Sequence, residues 1–306
     1  MALDLSQITA ITNKVWIPKL YDNIFDSDPL LQRAKKKFYV KKNGGTEIVI
    51  PLNYALNGAG GWYTGTETFN TADTDNISGS VWQWKQLYEN ITISGRDKMV
   101  NNGDAAILDF VKSKTQIAEK KMIDRMGDGL YSAGTDAKSI LGLATLVDAT
   151  DTVGGISGST YSWWAAQENS STTTLSMSAL QTQHTLLTKN NDGPTVAMAT
   201  RTLYNSYYGL LQPQQRFQDG DTAKGGFSSL MFNGIPFIAG AKVPANHVFF
   251  LNESYLHLVV HGERDMKFTG FKDPINQDAE AGQILWMGAL AVSNRRMHGK
   301  FTALTA

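Results

Sequence analysis

The chain has 306 residues, of which 42% are hydrophobic and 18% charged, and its formal net charge is zero. That length supports one large domain or two modest ones with true cores, and the even charge gives no overall pull toward nucleic acid or an anionic membrane. The absence of cysteine excludes disulfides and thiolate metal sites, Met1–Ser6 lacks the pattern of a secretion signal, and no run approaches the about 18 apolar residues that cross a bilayer.

Residues 1–42 read as an extended or partly helical arm. Trp16, Ile17, Leu20, Tyr21 and Phe25 make a short apolar stripe at helical spacing, which Asp28-Pro29 stops. A basic run follows, with Arg33, Lys35, Lys36, Lys37, Lys41 and Lys42. It fits a solvated face, DNA phosphates, or an acidic patch on a second copy.

Thr46–Gly95 reads as two long strands joined by a wide glycine-rich loop. In Thr46–Asn57 one face carries Ile48, Ile50, Leu52, Tyr54 and Leu56, and the other Glu47, Pro51 and Asn53. In Val81–Ile93 one face carries Val81, Leu87, Ile91 and Ile93, and the other Trp82, Trp84 and Tyr88. The period of two is the strand signal, and at about 3.3 Å per residue each strand reaches about 40 Å. An isolated two-stranded hairpin is at best marginally stable, so a ribbon this long needs a surface to lie on. Its charge is acidic, with Glu47, Glu67, Asp73, Asp75 and Glu89 against Lys85, and no Lys or Arg occurs from Asn43 to Trp84. Pairing of Lys35, Lys36 and Lys37 with Glu67, Asp73 and Asp75 of a second copy is therefore expected. Trp62, Tyr63, Trp82, Trp84 and Tyr88 are the candidate anchors in a neighbour's surface; the alternative for Trp82 and Trp84 is packing on the chain's own long helix.

That helix is expected over Gly103–Met126. Ile107, Phe110, Val111, Ile117, Ala118 and Met122 recur at three and four to form its core face, and Gly127 can close it. Ser139–Val147 is a compact apolar stretch, followed by turns through Gly158. A second helix runs from Ser176 or Ser178 to about Lys189, a strand over Pro194–Ala199, and a third helix over Arg201–Leu211. Strands then dominate: Ser229–Phe232, Ile235–Ala239, Val248–Leu251, Leu256–Val260 and Gln283–Val292. The result is an α+β chain without the βαβ alternation of a parallel sheet.

Chemistry-bearing motifs are weak. His257 and His261 share a strand face as a zinc pair would, but a polar edge explains them as well. Asp73-Thr74-Asp75-Asn76 starts like a calcium loop yet lacks its glycine and its closing glutamate. Gly58-Ala59-Gly60-Gly61 has no following helix to complete a phosphate cradle. No catalytic residues, cofactor or metal are expected.

Gly134–Leu143, Val153–Ser157 and Tyr161–Trp164, then Asn233–Phe237, Val243-Pro244, Phe249–Asn252 and the closing Leu290–Phe301 with Arg295, Arg296 and Gly299, stand in an order that resembles the major capsid protein of tailed double-stranded DNA bacteriophages. The likeness runs from about Lys14 onward. It implies an N-terminal arm (1–42), an extended hairpin loop (43–95), a peripheral domain (96–155 and 265–295) with a spine helix (103–126), and an axial domain (156–264 and 296–306). It further implies a structural protein that assembles with itself as hexamers and pentamers into an icosahedral head around double-stranded DNA. Portal, scaffolding or decoration proteins would be its other partners, with no membrane, and the host cytoplasm its place of assembly. Because the chain begins almost at the arm, a fused scaffolding segment is not expected. Two readings stay open beside it: an encapsulin-like nanocompartment shell, and a glycan-binding module or enzyme suggested by the tryptophans alone.

Overall fold

A computed structural model of the chain describes residues 28–56, 58, 60–69, 72, 75–100, 104–215 and 230–306, without the side chains of Lys98, Val100, 104–110 and 212–215. The stripe from Trp16 to Phe25 and Asp73 lie outside the described residues. In chain order, helix α1 (Pro29–Lys37) leads into strand β1 (Tyr39–Lys42), the hairpin strands β2 (Glu47–Asn53) and β3 (Ile77–Gln83), and β4 (Lys85–Ser94). A short helix α2 (Gly95–Val100), the long α3 (Asp104–Tyr131) and the single turn α4 (Leu143–Leu146) follow, with a small ribbon of β5 (Thr152–Val153) and β6 (Ile156–Ser157). Then come β7 (Gln167–Asn169), β8 (Thr173–Thr174), α5 (Met177–Leu187), β9 (Val196–Ala199), α6 (Arg201–Gln215), β10 (Leu230–Phe232), β11 (Ile235–Ala239) and β12 (Val248–Leu251). The last part holds β13 (Leu256–His261), β14 (Lys267–Phe268), β15 (Ala279–Val292), β16 (Gly299–Phe301) and β17 (Leu304–Thr305).

Two sheets organise these elements. One has the order β1-β13-β15-β14 with β4 also on β15; the other is six-stranded, β10-β11-β9-β12-β16-β7. The spine helix α3 lies across β4 and β15. Ala118, Met122, Met126 and Leu130 form its buried line, four residues apart as an α-helix stacks them. Ile117, expected on that face, is 47% exposed, because it sits about 100° round the helix from Ala118. Ile107 and Phe110 have side chains outside the described residues.

Gly127 does not end the helix. A Cβ there would stand 2.9 Å from Lys242 Cδ, and one at Gly129 would stand 2.8 Å from Ile140 Cγ1. Both glycines admit close neighbours within a helix that runs on to Tyr131, which outweighs their poor helix propensity.

The described part of the arm belongs to the body. Asp28 caps α1, its Oδ2 accepting the Leu31 N–H at 3.1 Å, and Leu30, Leu31, Ala34 and Phe38 are buried in the main core. Strand β1 then pairs in parallel with β13, Tyr39 opposite Leu258. The returning limb of the expected hairpin is split in two. β3 pairs with β2, whereas β4 pairs with β15 over Lys85–Ser94. Alternation marks a strand and leaves its partner unspecified.

Candidate assembly interface

The split at Trp84 reverses which residues face inward. In β3 the even positions Ser80 and Trp82 are buried; in β4 the odd positions Ile91 and Ile93 are buried, while Tyr88 is 58% exposed. Trp82, expected as an anchor for a neighbour, is therefore only 4% exposed in its own subunit, its indole N–H donated to Ser80 Oγ at 3.0 Å. Trp84 is half-buried and donates to the Gly45 carbonyl at 3.0 Å. Among the expected anchors, Trp62, Tyr63 and Tyr88 remain on the surface.

The exposed surface of the hairpin carries several large apolar side chains among its polar ones. Across β2 and β3, Val49 stands opposite Val81 on the outer face; they are 60% and 38% exposed, and Ile77 is 73% exposed. Beyond the paired strands, Leu56 is 91% exposed, Trp62 is fully exposed, and Tyr63 packs edge-on against Phe69 with centroids 5.0 Å apart. Glu67, which accepts from Thr64 Oγ1 at 3.0 Å, and Asp75 lie in the same exposed tip. Clustered apolar exposure of this kind marks a contact surface more than scattered single residues do.

The inner face of the hairpin is held by residues 152–164. The Val81 N–H donates to the Gly154 carbonyl at 2.9 Å; Gly154 lies at φ +63 with room for no Cβ, since Ser80 Cβ would be 2.8 Å away. Where the paired strands end, Tyr54 joins the two limbs: its N–H reaches the Asn76 carbonyl at 3.1 Å and its hydroxyl the Asp75 carbonyl at 2.7 Å. Its ring stacks on Trp163, centroids 5.2 Å apart and planes 20° apart. Trp163 in turn leans on buried Trp164, whose indole donates to the Val153 carbonyl at 3.0 Å.

The basic run finds acidic partners within its own chain. Arg33 makes a two-pronged contact with Glu253, Nε to Oε1 at 2.7 Å and a terminal nitrogen to Oε2 at 2.8 Å. Lys37 joins the same carboxylate at 2.7 Å, and Lys41 pairs with Asp265 at 2.7 Å. Lys37, expected to pair with a neighbour's hairpin, is thus committed to Glu253, which also accepts from Thr195 Oγ1. Lys35 and Lys36 stay exposed on α1. Burial opposes ionisation of Glu253, but the donors from Arg33, Lys37 and Thr195 outweigh it and hold its pKa below the ordinary value.

Two further clamps escaped sequence reasoning. Lys242, between β11 and β12, reaches Asp124 and, at 2.6 Å, Asp128 on α3. Between β15 and β16, fully buried Arg295 donates to the carbonyls of Leu146 at 2.8 Å, Asp151 at 2.7 Å and Thr145 at 3.3 Å. Lys300 lies 3.3 Å from both Asp148 and Glu168. Burial opposes the Asp148 carboxylate, yet N–H donors from Thr150 and Asp151 hold its pKa far below normal. A local signal existed only for Arg295 and Lys300, two cations in an otherwise apolar closing segment.

His257 and His261 have separate partners, Ser293 for one and the Gly44 and Glu263 amides for the other, so they do not form a metal pair. Among the described residues no cluster suits a metal ion, and no helix is long and apolar enough to cross a membrane.

The chain matches the family described as SU10 major capsid protein over residues 87–305, well over half its length. No curated protein matches it in sequence. Among solved structures it is similar to the capsid asymmetric unit of cyanophage A-1(L), with a TM-score of 0.75 at 16% identity, covering 99% of this chain and 100% of that one. It is also similar to a Mycobacterium phage Bobi chain, with a TM-score of 0.61 at 10% identity and full coverage of both. The encapsulin of Synechococcus elongatus gives a TM-score of 0.63 at 12% identity, covering 99% of this chain and 96% of that one.

Proposed function

This chain belongs to the SU10 major capsid protein family, and from that premise, which makes it a structural shell subunit, we propose that it assembles as hexamers and pentamers into an icosahedral head around double-stranded DNA. The hairpin is the member that reaches over a neighbouring subunit. The observation that carries this is the tip, where Leu56, Trp62, Tyr63 and Phe69 are all at least 61% exposed; only a second surface removes that much aromatic area from water. Lys35 and Lys36 meet either DNA or acidic tip residues such as Glu67 and Asp75 of the next copy. The division into arm, hairpin loop, peripheral and axial parts belongs to the same proposal: the six-stranded sheet falls within the axial ranges, while the sheet of β1, β4, β13, β14 and β15 draws strands from all four parts. Portal, scaffolding or decoration proteins complete the head, and assembly takes place in the host cytoplasm. No step in this role needs catalysis.

Replacing Trp62, Tyr63 and Phe69 together with serine tests the reading. The subunit should melt as the wild type does while closed particles are lost, since truncating a central aromatic anchor costs on the order of 2 kcal/mol at each copy of a contact. Normal particles by electron microscopy would refute it. The ratio of absorbance at nucleic-acid and protein wavelengths in purified particles separates a DNA-filled head from a protein-filled compartment.

A further inference from the structure

Past its root, where Gly44 and Trp84 meet His261, the hairpin is held to its own subunit by two contacts with residues 152–164. The inner place is the Val81 N–H on the Gly154 carbonyl, with buried Trp82 beside it. The outer place is the Tyr54 ring on Trp163. Val81 is opposite Val49, and Tyr54 lies five residues nearer the tip, so the two points are about 17 Å apart along the strand. One point fixes position; two fix direction. They are also coupled, because Trp164 holds Val153 with its indole and packs against Trp163 with its ring.

The two differ in strength. The inner point combines a backbone hydrogen bond with a buried tryptophan and a glycine at positive φ. The outer one is a single stack of two half-buried rings. We propose that Tyr54 and Trp163 are positioning residues, a releasable stop that sets the tilt of the hairpin over its own body, so that the hairpin pivots about Val81–Gly154 when the stack opens. This rests on the reading of the hairpin as the arm that reaches a neighbour. The tilt would then decide at what angle successive subunits meet, and so the curvature of the shell.

Trp163→Ala, Trp163→Phe, Tyr54→Ala and the Tyr54→Ala/Trp163→Ala double variant are compared before and after assembly. In unassembled subunits carrying spin labels at Thr66→Cys in the tip and Asn205→Cys on α6, the distance distribution between the labels should broaden about two-fold in Trp163→Ala, while hydrogen exchange at the Val81 amide keeps its wild-type protection. Trp163→Phe, which retains a ring, should return the wild-type distribution, and the double variant should match Trp163→Ala. In assembly reactions Trp163→Ala should give a broadened particle diameter distribution by electron microscopy, and Trp163→Phe the wild-type one. An unchanged distance distribution, or quickened exchange at Val81, overturns the stop. A broadened distance distribution with an unaltered diameter distribution overturns its control of curvature. The serine variant of the tip addresses the underlying reading separately: if that variant assembles normally, the neighbour contact fails whatever the Trp163 variants do.

Discussion

Where the chain passes from β15 of one sheet into β16 of the other, Arg295 and Lys300 are buried and partnered within the chain, while on the hairpin Trp62 and Leu56 lie almost wholly in water. In the joint, charge is inside; on the hairpin, aromatic surface is outside. A buried guanidinium is tolerable only when its donors are met, and here three carbonyls meet them. The joint is therefore complete in one subunit. The hairpin leaves much apolar area unburied, so its missing partner is another surface. The contrast separates what makes the subunit rigid from what makes it associate.

The joint should fail hardest. In Arg295→Met the carbonyl of exposed Asp151 keeps the Gly158 N–H. The buried Leu146 carbonyl loses its donor, which costs about 1–3 kcal/mol, and the cation beside Asp148 and Glu168 is removed, for a total loss of about 3–5 kcal/mol. Denaturant unfolding of the isolated subunit measures it, and a loss under about 1 kcal/mol would mean the joint relaxes around the gap.

Glu253 should matter less and show itself through pH. Its pKa is depressed in the folded chain, so its contribution is fully present above the unfolded value of about 4.3 and fades as pH falls through the folded value. Glu253→Gln should lower stability by about 1–3 kcal/mol at neutral pH, and the variant should lose less than the wild type on going to acid. Parallel pH curves would show that the clamp on α1 contributes nothing.

Smallest of all within the subunit should be Val49→Thr with Val81→Thr on the outer hairpin face. Surface changes of this sort stay within about 0.5 kcal/mol for folding, while assembly should need a higher protein concentration, seen by light scattering. A lowered melting temperature in the isolated subunit would make that face core and erase the contrast.

Much of this architecture is written locally. The alternation of Ile48, Ile50 and Leu52 marks β2, and the spacing of Ala118 and Met122 marks the spine helix. What is not written locally is partnership. Val81–Ile93 alternates without a break, yet its halves join different sheets, and so Trp82 points in while Tyr88 points out. Arg33 and Lys37 look like a solvated charge run because their carboxylate, Glu253, is over two hundred residues away. Gly127 looks like a helix stop because the Lys242 side chain it accommodates comes from another part of the chain. For the candidate interface, Trp62 and Tyr63 were legible from their place in a glycine-rich tip. The Tyr54–Trp163 stack was not, since nothing near Trp163 in sequence refers to the hairpin.

The hairpin's lack of basic side chains has a consequence for peptide chemistry. From Asn43 to Trp84 there is no Lys or Arg, so trypsin has no bond to cut anywhere in this stretch and leaves it as one long fragment. A chymotrypsin-like protease, which cleaves after large aromatic residues, meets Trp62, Tyr63 and Phe69 in the open, where exposed loop tips are nicked first. One polypeptide thus carries a stretch that is silent to one enzyme and conspicuous to another, and the second enzyme alone can count how many copies of the loop are sheltered at any moment.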